Sequence, residues 1–260
     1  MRIAFTIIYD GLHHLQHNDF AQFMVENFDH WIVIEGLSRA GGSTAWCKNI
    51  GLPVRSKDGT HEFMVDLCEK HSSVHYYSPG IAWTSKDKQV NEAIMIAKLL
   101  TNECYLWQVD CDEQWSAESL KQAEIELSNS GSNVGAFQFN HYICQDGLGR
   151  QLVGKGTWGD NFNTRLWLWK GEKFLTHEPP VIEGQKQIIH LSQRYEHYSY
   201  YFEKDILFKT AYYGYRSLHK NWSKLRSYTG TLPQPATLLL GKENRHVPKH
   251  SFIDQLTLKP

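Results

Sequence analysis

The sequence predicts an α/β fold, with a mostly parallel, Rossmann-like sheet flanked by helices and a C-terminal helical extension from about residue 199. Residues 2–9 and 31–34 are apolar, β-branched runs separated by a helical stretch. Such a βαβ unit pairs its strands in parallel through a right-handed crossover. Residues 105–109 form an apolar strand that ends abruptly in acids. A strand that is apolar on both faces is typical of a parallel sheet covered by helices.

Capping residues and periodicity place the other elements. Helices are predicted to begin near Asn18 or Asp19, Thr60 and Ser116. A further amphipathic helix leads into the acid-tipped strand, and its apolar stripe consists of Val90, Ala93, Ile94, Ala97 and Leu100. Further strands are predicted at residues 73–77, 135–143, 163–170 and 188–190. Asp146-Gly147 marks a hairpin turn after the second of these strands.

The composition fits one soluble globular domain that spans residues 1–260. Hydrophobic residues make up 41% and charged residues 21%, and no window approaches the ~18 apolar residues of a membrane span. A formal net charge of −1 gives no global attraction to nucleic acid or anionic membranes. Five scattered cysteines without a C-x-x-C pair favour a reducing, cytoplasmic location. The start, MRIAFTIIYDGLHH, is interpreted as a strand and not as a signal peptide.

Three acids, Asp110, Asp112 and Glu113, follow the strand at residues 105–109. In open α/β sheets, ligands bind outside the carboxyl ends of the strands. Asp110 and Asp112 have one residue between them, so both side chains can point the same way and reach one ligand. Carboxylate oxygens favour a hard divalent cation, Mg²⁺ or Mn²⁺, which would in turn bind a diphosphate. A solvated turn is the alternative interpretation of the same acids.

Glu35 ends the second predicted strand and is followed by a loop that contains Gly41-Gly42. An acid at this position often meets a ribose or a base in nucleotide-binding folds. Paired glycines suit a loop that closes over a ligand. A solvated turn is an equally good interpretation. Trp158 and Asp160 lie in another Gly-rich stretch, expected to be a mobile loop over the substrate or a plain surface loop.

Several segments resemble a known group of enzymes. DCDE resembles the Asp-x-Asp signature of GT-A glycosyltransferases, in the form found in family 2-like members. HWIVIEGLSRAGGSTAWCK resembles a segment of family 17, the N-acetylglucosaminyltransferase type, although its glycines and Thr44 differ in spacing. The resemblance implies a GT-A type fold and a metal-dependent, hexosyltransferase-type enzyme with Mn²⁺ or Mg²⁺ as cofactor. The implied donor is a UDP- or GDP-sugar, and the implied acceptor is a hydroxyl of a glycan or another molecule.

The resemblance also implies roles for individual residues. Asp110 and Asp112 would hold the cation, and Asp112 would take part in catalysis. Glu178 would be the catalytic base; it follows the strand NTRLWLWK, which is similar to the R-L-(W/F)-(R/K) pattern of family 2-like enzymes, and Arg165 matches a donor or acceptor contact there. His197, in an H-x-S-Y element, would be the third metal ligand. The donor site would consist of Tyr9, Glu35, Lys88, Asn91 and Asp110. An exposed helix-start lysine and a surface glutamate are the alternatives for Lys88 and Glu178.

Two other histidines are not expected to bind the metal. His190 follows two isoleucines, so it is expected to face the interior of the sheet. His177 lies beside the candidate base, in a segment that is expected to face the acceptor.

Three other functions compete with glycosyl transfer. A non-catalytic nucleotide-sugar or carbohydrate-binding protein of the same fold would show the same sequence pattern. A metal phosphohydrolase would need Thr or Val where Gln114 stands. Residues 194–226 carry seven Lys or Arg against three acids among aromatics, but a near-neutral chain without an RNA-binding signature disfavours nucleic-acid binding.

Overall fold

The computed structural model of the protein describes residues 1–155, 162–235 and 255–259. The chain divides into two compact units, Met1–Phe137 with Asn163–Gln193, and Gln138–Phe162 with Arg194–Pro260. The single domain predicted from the sequence stays a prediction. Trp158 and Asp160, expected in a loop over the substrate, lie outside the described residues.

The elements alternate between strands and helices in the first half of the chain, as the sequence predicts. Their order is β1 Arg2–Ile8, α1 Leu12–Leu15, α2 Phe20–Asn27, β2 His30–Glu35, α3 Thr60–Lys70, β3 Val74–Tyr77, α4 Lys86–Leu100, β4 Cys104–Gln108, β5 Glu113–Gln114 and α5 Ala117–Asn129. The second half contains β6 Val134–Gln145, β7 Gln151–Lys155, β8 Asn163–Trp169, β9 Phe174–Thr176, β10 Val181–Ile182, β11 Ile189–His197, α6 Glu203–Tyr212, α7 Leu218–Arg226, β12 Gln234–Pro235 and β13 Gln255–Leu258.

The central sheet of the first unit has the strand order β6, β8, β4, β1, β2, β3. β1 pairs in parallel with both β2 and β4, and β2 pairs in parallel with β3. β8 then pairs antiparallel with β4, and the start of β6 pairs antiparallel with β8. The predicted α/β class, a helix-flanked and mostly parallel central sheet, is confirmed. The antiparallel strands that join it come from the second half of the chain.

One face of the parallel strands packs against α4. The predicted apolar stripe of this helix meets Ile3, Phe5, Ile32, Ile34 and Leu106 of β1, β2 and β4 in one buried cluster. Fully burying a large apolar side chain contributes roughly 1.5–3 kcal/mol, so this contact is a main source of stability. The helix begins at a true cap, because the Ser85 hydroxyl accepts a hydrogen bond of 3.2 Å from the Lys88 amide.

A buried polar contact fixes β1, β4 and α5 to one another. Glu124 of α5 accepts hydrogen bonds from Arg2 Nε at 2.5 Å and from Trp107 Nε1 at 3.0 Å. The Trp107 ring stacks on Phe137, and the Trp115 ring meets both edge-on, with centroids 5.2 Å from Trp107 and 4.8 Å from Phe137. The Trp107 side of the strand that leads to the acids is therefore packed against α5, Trp115 and Phe137.

The second unit combines an antiparallel sheet with the helical extension. Its strand order is β12, β13, β7 and the end of β6. The predicted hairpin turn is present, and the Asp146 carboxylate accepts hydrogen bonds of 2.9 Å from the amides of Leu148 and Arg150. The extension is formed by α6 and α7 and begins at Glu203, slightly later than predicted. β12 and β13 follow it and have no counterpart in the sequence analysis.

The structure corrects the prediction for His190. The strand predicted at residues 188–190 is the beginning of β11, which continues to His197. Side chains alternate along a strand, and here Leu191 and Tyr195 are buried while His190 is exposed. The interior position inferred for this histidine from the two preceding isoleucines is therefore wrong.

Among the helices that the structure describes, none has the length and apolar character needed to cross a membrane.

Candidate functional site

The candidate site lies at one edge of the parallel sheet in the first unit. β1, β2 and β4 run in parallel, so their carboxyl ends meet at this edge, where Tyr9, Glu35 and Asp110 lie at or just beyond the strand ends. β8 is antiparallel to β4, with Leu166 opposite Trp107. The start of β8 therefore reaches the same edge and delivers Arg165 to the acids.

Arg165 bridges two of the three acids. Its Nη2 donates to Asp110 Oδ2 at 2.9 Å, and its Nε donates to Glu113 Oε1 at 2.8 Å. The guanidinium and the Glu113 side chain are both buried. A planar guanidinium that binds two carboxylates makes strong, directional hydrogen bonds. Arg165 thus orients Asp110 and Glu113. The assignment of Arg165 as a donor or acceptor contact stays a prediction.

Asp110 and Asp112 offer carboxylate oxygens, the ligand type that a hard divalent cation prefers. Arg165 holds one oxygen of Asp110, the other accepts a long hydrogen bond of 3.3 Å from Gln108 Nε2, and the side chain is 28% exposed. Carboxylates that bind metals are commonly oriented by such supporting hydrogen bonds. Asp112 is half-buried, whereas Glu113 is fully buried against Arg165.

Other ligands would have to complete a cation site at these acids. Among the described residues, neither Asp110 nor Asp112 belongs to a group of three His, Cys, Asp or Glu ligand atoms that lie within 4.8 Å of one another. A cation here would therefore take further oxygen ligands from elsewhere, and the oxygens of a diphosphate are of the right chemical type.

Glu35 is fully buried and holds three segments together. One carboxylate oxygen accepts from the Ser56 amide at 2.6 Å, and the other accepts from the Ser78 hydroxyl at 2.5 Å. Its carbonyl accepts from Trp83 Nε1 at 3.0 Å. The sequence placed this acid correctly at the end of β2. Its assignment as a donor contact stays a prediction, and a ligand would have to displace one of these partners to reach the carboxylate.

Tyr9 supports the same region. Its hydroxyl donates to the Pro53 carbonyl at 2.8 Å. Burial, followed by the negative charges of Asp10, Glu35 and Asp58, raises the pKa of Tyr9 to about 12. The phenol is therefore neutral at physiological pH and acts as a hydrogen-bond donor. Its contact with a donor nucleotide stays a prediction.

The two predicted donor residues of α4 differ in environment. The Lys88 side chain is exposed. The Asn91 amide is engaged in packing, because its Nδ2 donates to the carbonyls of Asp87 and Phe174 and its Oδ1 accepts from the Phe174 amide, each at 2.9 Å. Asn91 thus fixes the start of β9 to the helix. The assignment of both residues to the donor site stays a prediction.

Glu178 and His177 lie in the turn after β9, and their side chains point to different surroundings. The Glu178 side chain is exposed, and its amide donates to the Ser43 hydroxyl at 3.1 Å. His177 is only 6% exposed, and the expectation that its segment faces an acceptor stays a prediction. Glu178 is thus the member of the pair that is open to a substrate.

The His177 ring lies among charged groups. Burial, together with the positive charges of Lys86 and Arg165, lowers the pKa of His177 to about 3 against the opposing effect of Asp110 and Asp87. Its Nδ1 has no hydrogen-bond partner among the described residues. The imidazole is therefore neutral throughout the physiological range.

Acid should destabilise the first unit through His177. Above pH 6.5 the histidine is neutral in both folded and unfolded chains, so its full contribution is present. Between pH 6.5 and about 3 only the unfolded chain takes up a proton, and stability should fall by up to about 1.4 kcal/mol per pH unit. Replacement by glutamine, His177→Gln, should flatten this dependence in urea unfolding at pH 7, 6 and 5. The exposed His190→Gln is the control, and equal slopes for both variants would contradict the assignment.

His197 is the last residue of β11 and belongs to the second unit. Its ring is surrounded by aromatic side chains, with centroids 5.0 Å from Phe139 and 5.2 Å from His141. Asp110 and Asp112 belong to the first unit. The assignment of His197 as a third metal ligand therefore stays a prediction.

The sequence did not single out Ser43 and Asp87, and it did not reveal the acid partners of Arg165. Arg165 carried a usable signal, because a lone arginine within the apolar strand TRLWLW needs a buried acid as its partner. The sequence gives no such signal for Asp87, because acids are common in the first turn of any helix, where the helix dipole stabilises them.

Comparison with known proteins gives remote similarities. No protein-family model and no curated protein sequence matches the chain. The chain is similar to S. aureus TarS 1–349, with a TM-score of 0.46 and 13% identity over 76% of this chain and 61% of that chain. For the UDP complex of TarS 1–349 the TM-score is 0.44 at 12% identity, over 86% and 71% of the two chains. For the UDP-GlcNAc complex it is 0.38 at 14% identity, over 54% and 35%.

The chain thus spans about three fifths of the length of the first TarS structure. At these low scores, function has to be inferred from the residues of the site.

Proposed function

We propose that the protein is a glycosyltransferase that moves a sugar from a nucleotide-sugar donor to an acceptor hydroxyl. The observation that carries the proposal is the position of Asp110 and Asp112 directly after β4, at the edge where β1 and β2 also end. Open α/β sheets bind their ligands at this edge. Two carboxylates there repel a diphosphate unless a cation lies between them, which supports Mn²⁺ or Mg²⁺ as the cofactor.

Four residues of the site have a part in this chemistry. Asp110 and Asp112 would hold the cation, and Arg165 keeps the Asp110 carboxylate in one orientation. When bound, the cation would supply Lewis-acid stabilisation of the diphosphate leaving group. Glu178 is exposed on a backbone fixed by Ser43, so its carboxylate can accept the proton of an acceptor hydroxyl. A well-placed general base contributes roughly 10²-fold to 10⁴-fold in rate.

Donor binding should depend on a divalent cation. UDP-GlcNAc is the first donor to titrate, since it is the ligand of one of the TarS structures, and a panel of UDP- and GDP-sugars follows. With Mn²⁺ present we expect saturable binding, and with excess chelator we expect binding to be lost because the carboxylates then repel the diphosphate. Restoring Mn²⁺ is the control. Unchanged affinity in chelator would contradict Asp110 and Asp112 as metal ligands.

Turnover distinguishes the enzyme from a binding protein. The enzyme releases nucleoside diphosphate when donor, cation and acceptor are present together. Donor affinity without any release would instead identify a non-catalytic nucleotide-sugar-binding protein of the same fold.

A further inference from the structure

The carboxylate of Asp87 is the centre of a hydrogen-bond network that includes Ser43 and the backbone of the candidate base. Its Oδ2 accepts from the Ser43 amide at 2.7 Å, and its Oδ1 accepts from the His177 amide at 2.7 Å and from the Ser43 hydroxyl. The same hydroxyl accepts from the amides of His177 at 3.2 Å and Glu178 at 3.1 Å. We infer that Asp87 is a positioning residue that fixes the backbone of the candidate base, Glu178. This inference rests on the proposed function.

α4 holds the segment before Glu178 at two points. Asp87 and Asn91 are four residues apart and lie on one face of the helix. Asn91 binds both the amide and the carbonyl of Phe174, and Asp87 binds the amide of His177. β9, between these points, pairs with β10 in a separate two-stranded sheet. The helix therefore holds the backbone on both sides of β9, while the Phe174 ring packs against Phe5 and Trp167 of the central sheet.

The paired glycines allow the loop after β2 to join this network. Gly42 has φ +54°, and a Cβ added to it would lie 1.8 Å from Asp87 Oδ2. A Cβ on Gly41 would lie 2.4 Å from the Thr84 carbonyl. No side chain fits at such distances, so the glycines are explained by the close approach of the loop to α4. The loop is docked on the helix that also holds Glu178.

The charge of Asp87 suits this role. Burial raises the pKa of Asp87, but the hydrogen bonds from Ser43 and the His177 amide outweigh burial and lower it below its usual value. An ionised carboxylate accepts all three donors, whereas asparagine offers one acceptor oxygen and turns two donors toward the others. Replacement by asparagine therefore weakens the network, because at least one donor loses its acceptor, while the side-chain volume is nearly preserved.

Asp87→Asn is the test variant, and Asp66→Asn is its matched control. Asp66 is an exposed aspartate of α3 that pairs with Lys70. Hydrogen exchange should become roughly 10-fold to 100-fold faster at the amides of Ser43, His177 and Glu178 in Asp87→Asn only, because hydrogen bonds to a charged acceptor are lost. Turnover should fall roughly 100-fold. Donor affinity should stay unchanged, because Asp110 and Asp112 are not touched.

A second variant keeps the test decisive if Asp87→Asn folds poorly. Ser43→Ala removes only the hydroxyl that accepts from His177 and Glu178, and it should show the same pattern with a smaller exchange effect. Unchanged exchange at these amides in both variants would overturn the network. Faster exchange with unchanged turnover, or with an equal loss of donor affinity, would overturn the positioning role. Absence of transfer by the wild type would overturn the proposed function itself. The hydrogen-exchange rates would still show whether the Asp87 network is present.

Discussion

Asp112→Asn is expected to fold like the wild type and to lose at least about 100-fold in turnover. Asparagine keeps the shape of the side chain but removes the charge that would hold the cation. Replacing a residue that only supports a metal ligand lowers metal affinity or activity by about 10-fold to 100-fold. Removing the charge of a ligand itself should lower activity by at least as much. Sugar transfer at limiting Mn²⁺ is the measurement, with Asp66→Asn as the control. Wild-type turnover in Asp112→Asn would place the site elsewhere.

Arg165→Met is expected to lower the free energy of unfolding by about 3–5 kcal/mol, because removing one partner of a buried ion pair leaves the other charge uncompensated. The charge that would be left without a partner is that of Glu113, which is fully buried and whose Oε1 lies 2.7 Å from Arg165 Nη2. Urea unfolding gives the measurement.

Two variants serve as controls for Arg165→Met. Lys70→Met removes an exposed pair with Asp66 and should cost less than about 1 kcal/mol. The double variant Arg165→Met with Glu113→Gln removes both charges and should recover part of the loss. If Arg165→Met costs no more than Lys70→Met, the buried pair does not stabilise the fold as its geometry indicates.

The sequence predicted those elements whose signals are local. The apolar stripe of α4 and the Ser116 cap of α5 each lie within one element, and the structure confirms both, with the Ser116 hydroxyl accepting from the Ser119 amide at 3.1 Å. The acid turn after β4 was also predictable, because a buried apolar strand that stops at charged residues marks the edge of a sheet.

The contacts of the site were not predictable in the same way. Arg165 meets residues that precede it by 52 and 55 positions, and this depends on the register of β8 on β4, which no local pattern encodes. Glu35 was placed correctly along the chain, but its burial depends on Ser56 and Ser78, which come from two separate segments. Charged residues at strand ends look alike in a sequence whether they face solvent, a ligand or a buried partner.

Trp107 and Trp115 bracket the acid turn, one before Asp110 and one after Asp112. Their ring centroids lie 5.2 Å apart with the ring planes at 74°. Two indoles this close share excitation energy, so their ultraviolet circular dichroism and their emission depend on their mutual angle. A ligand that shifts the turn between them changes that angle. Binding of metal or donor is therefore expected to change the ultraviolet circular dichroism of this pair, to which the other seven of the nine tryptophans add a background.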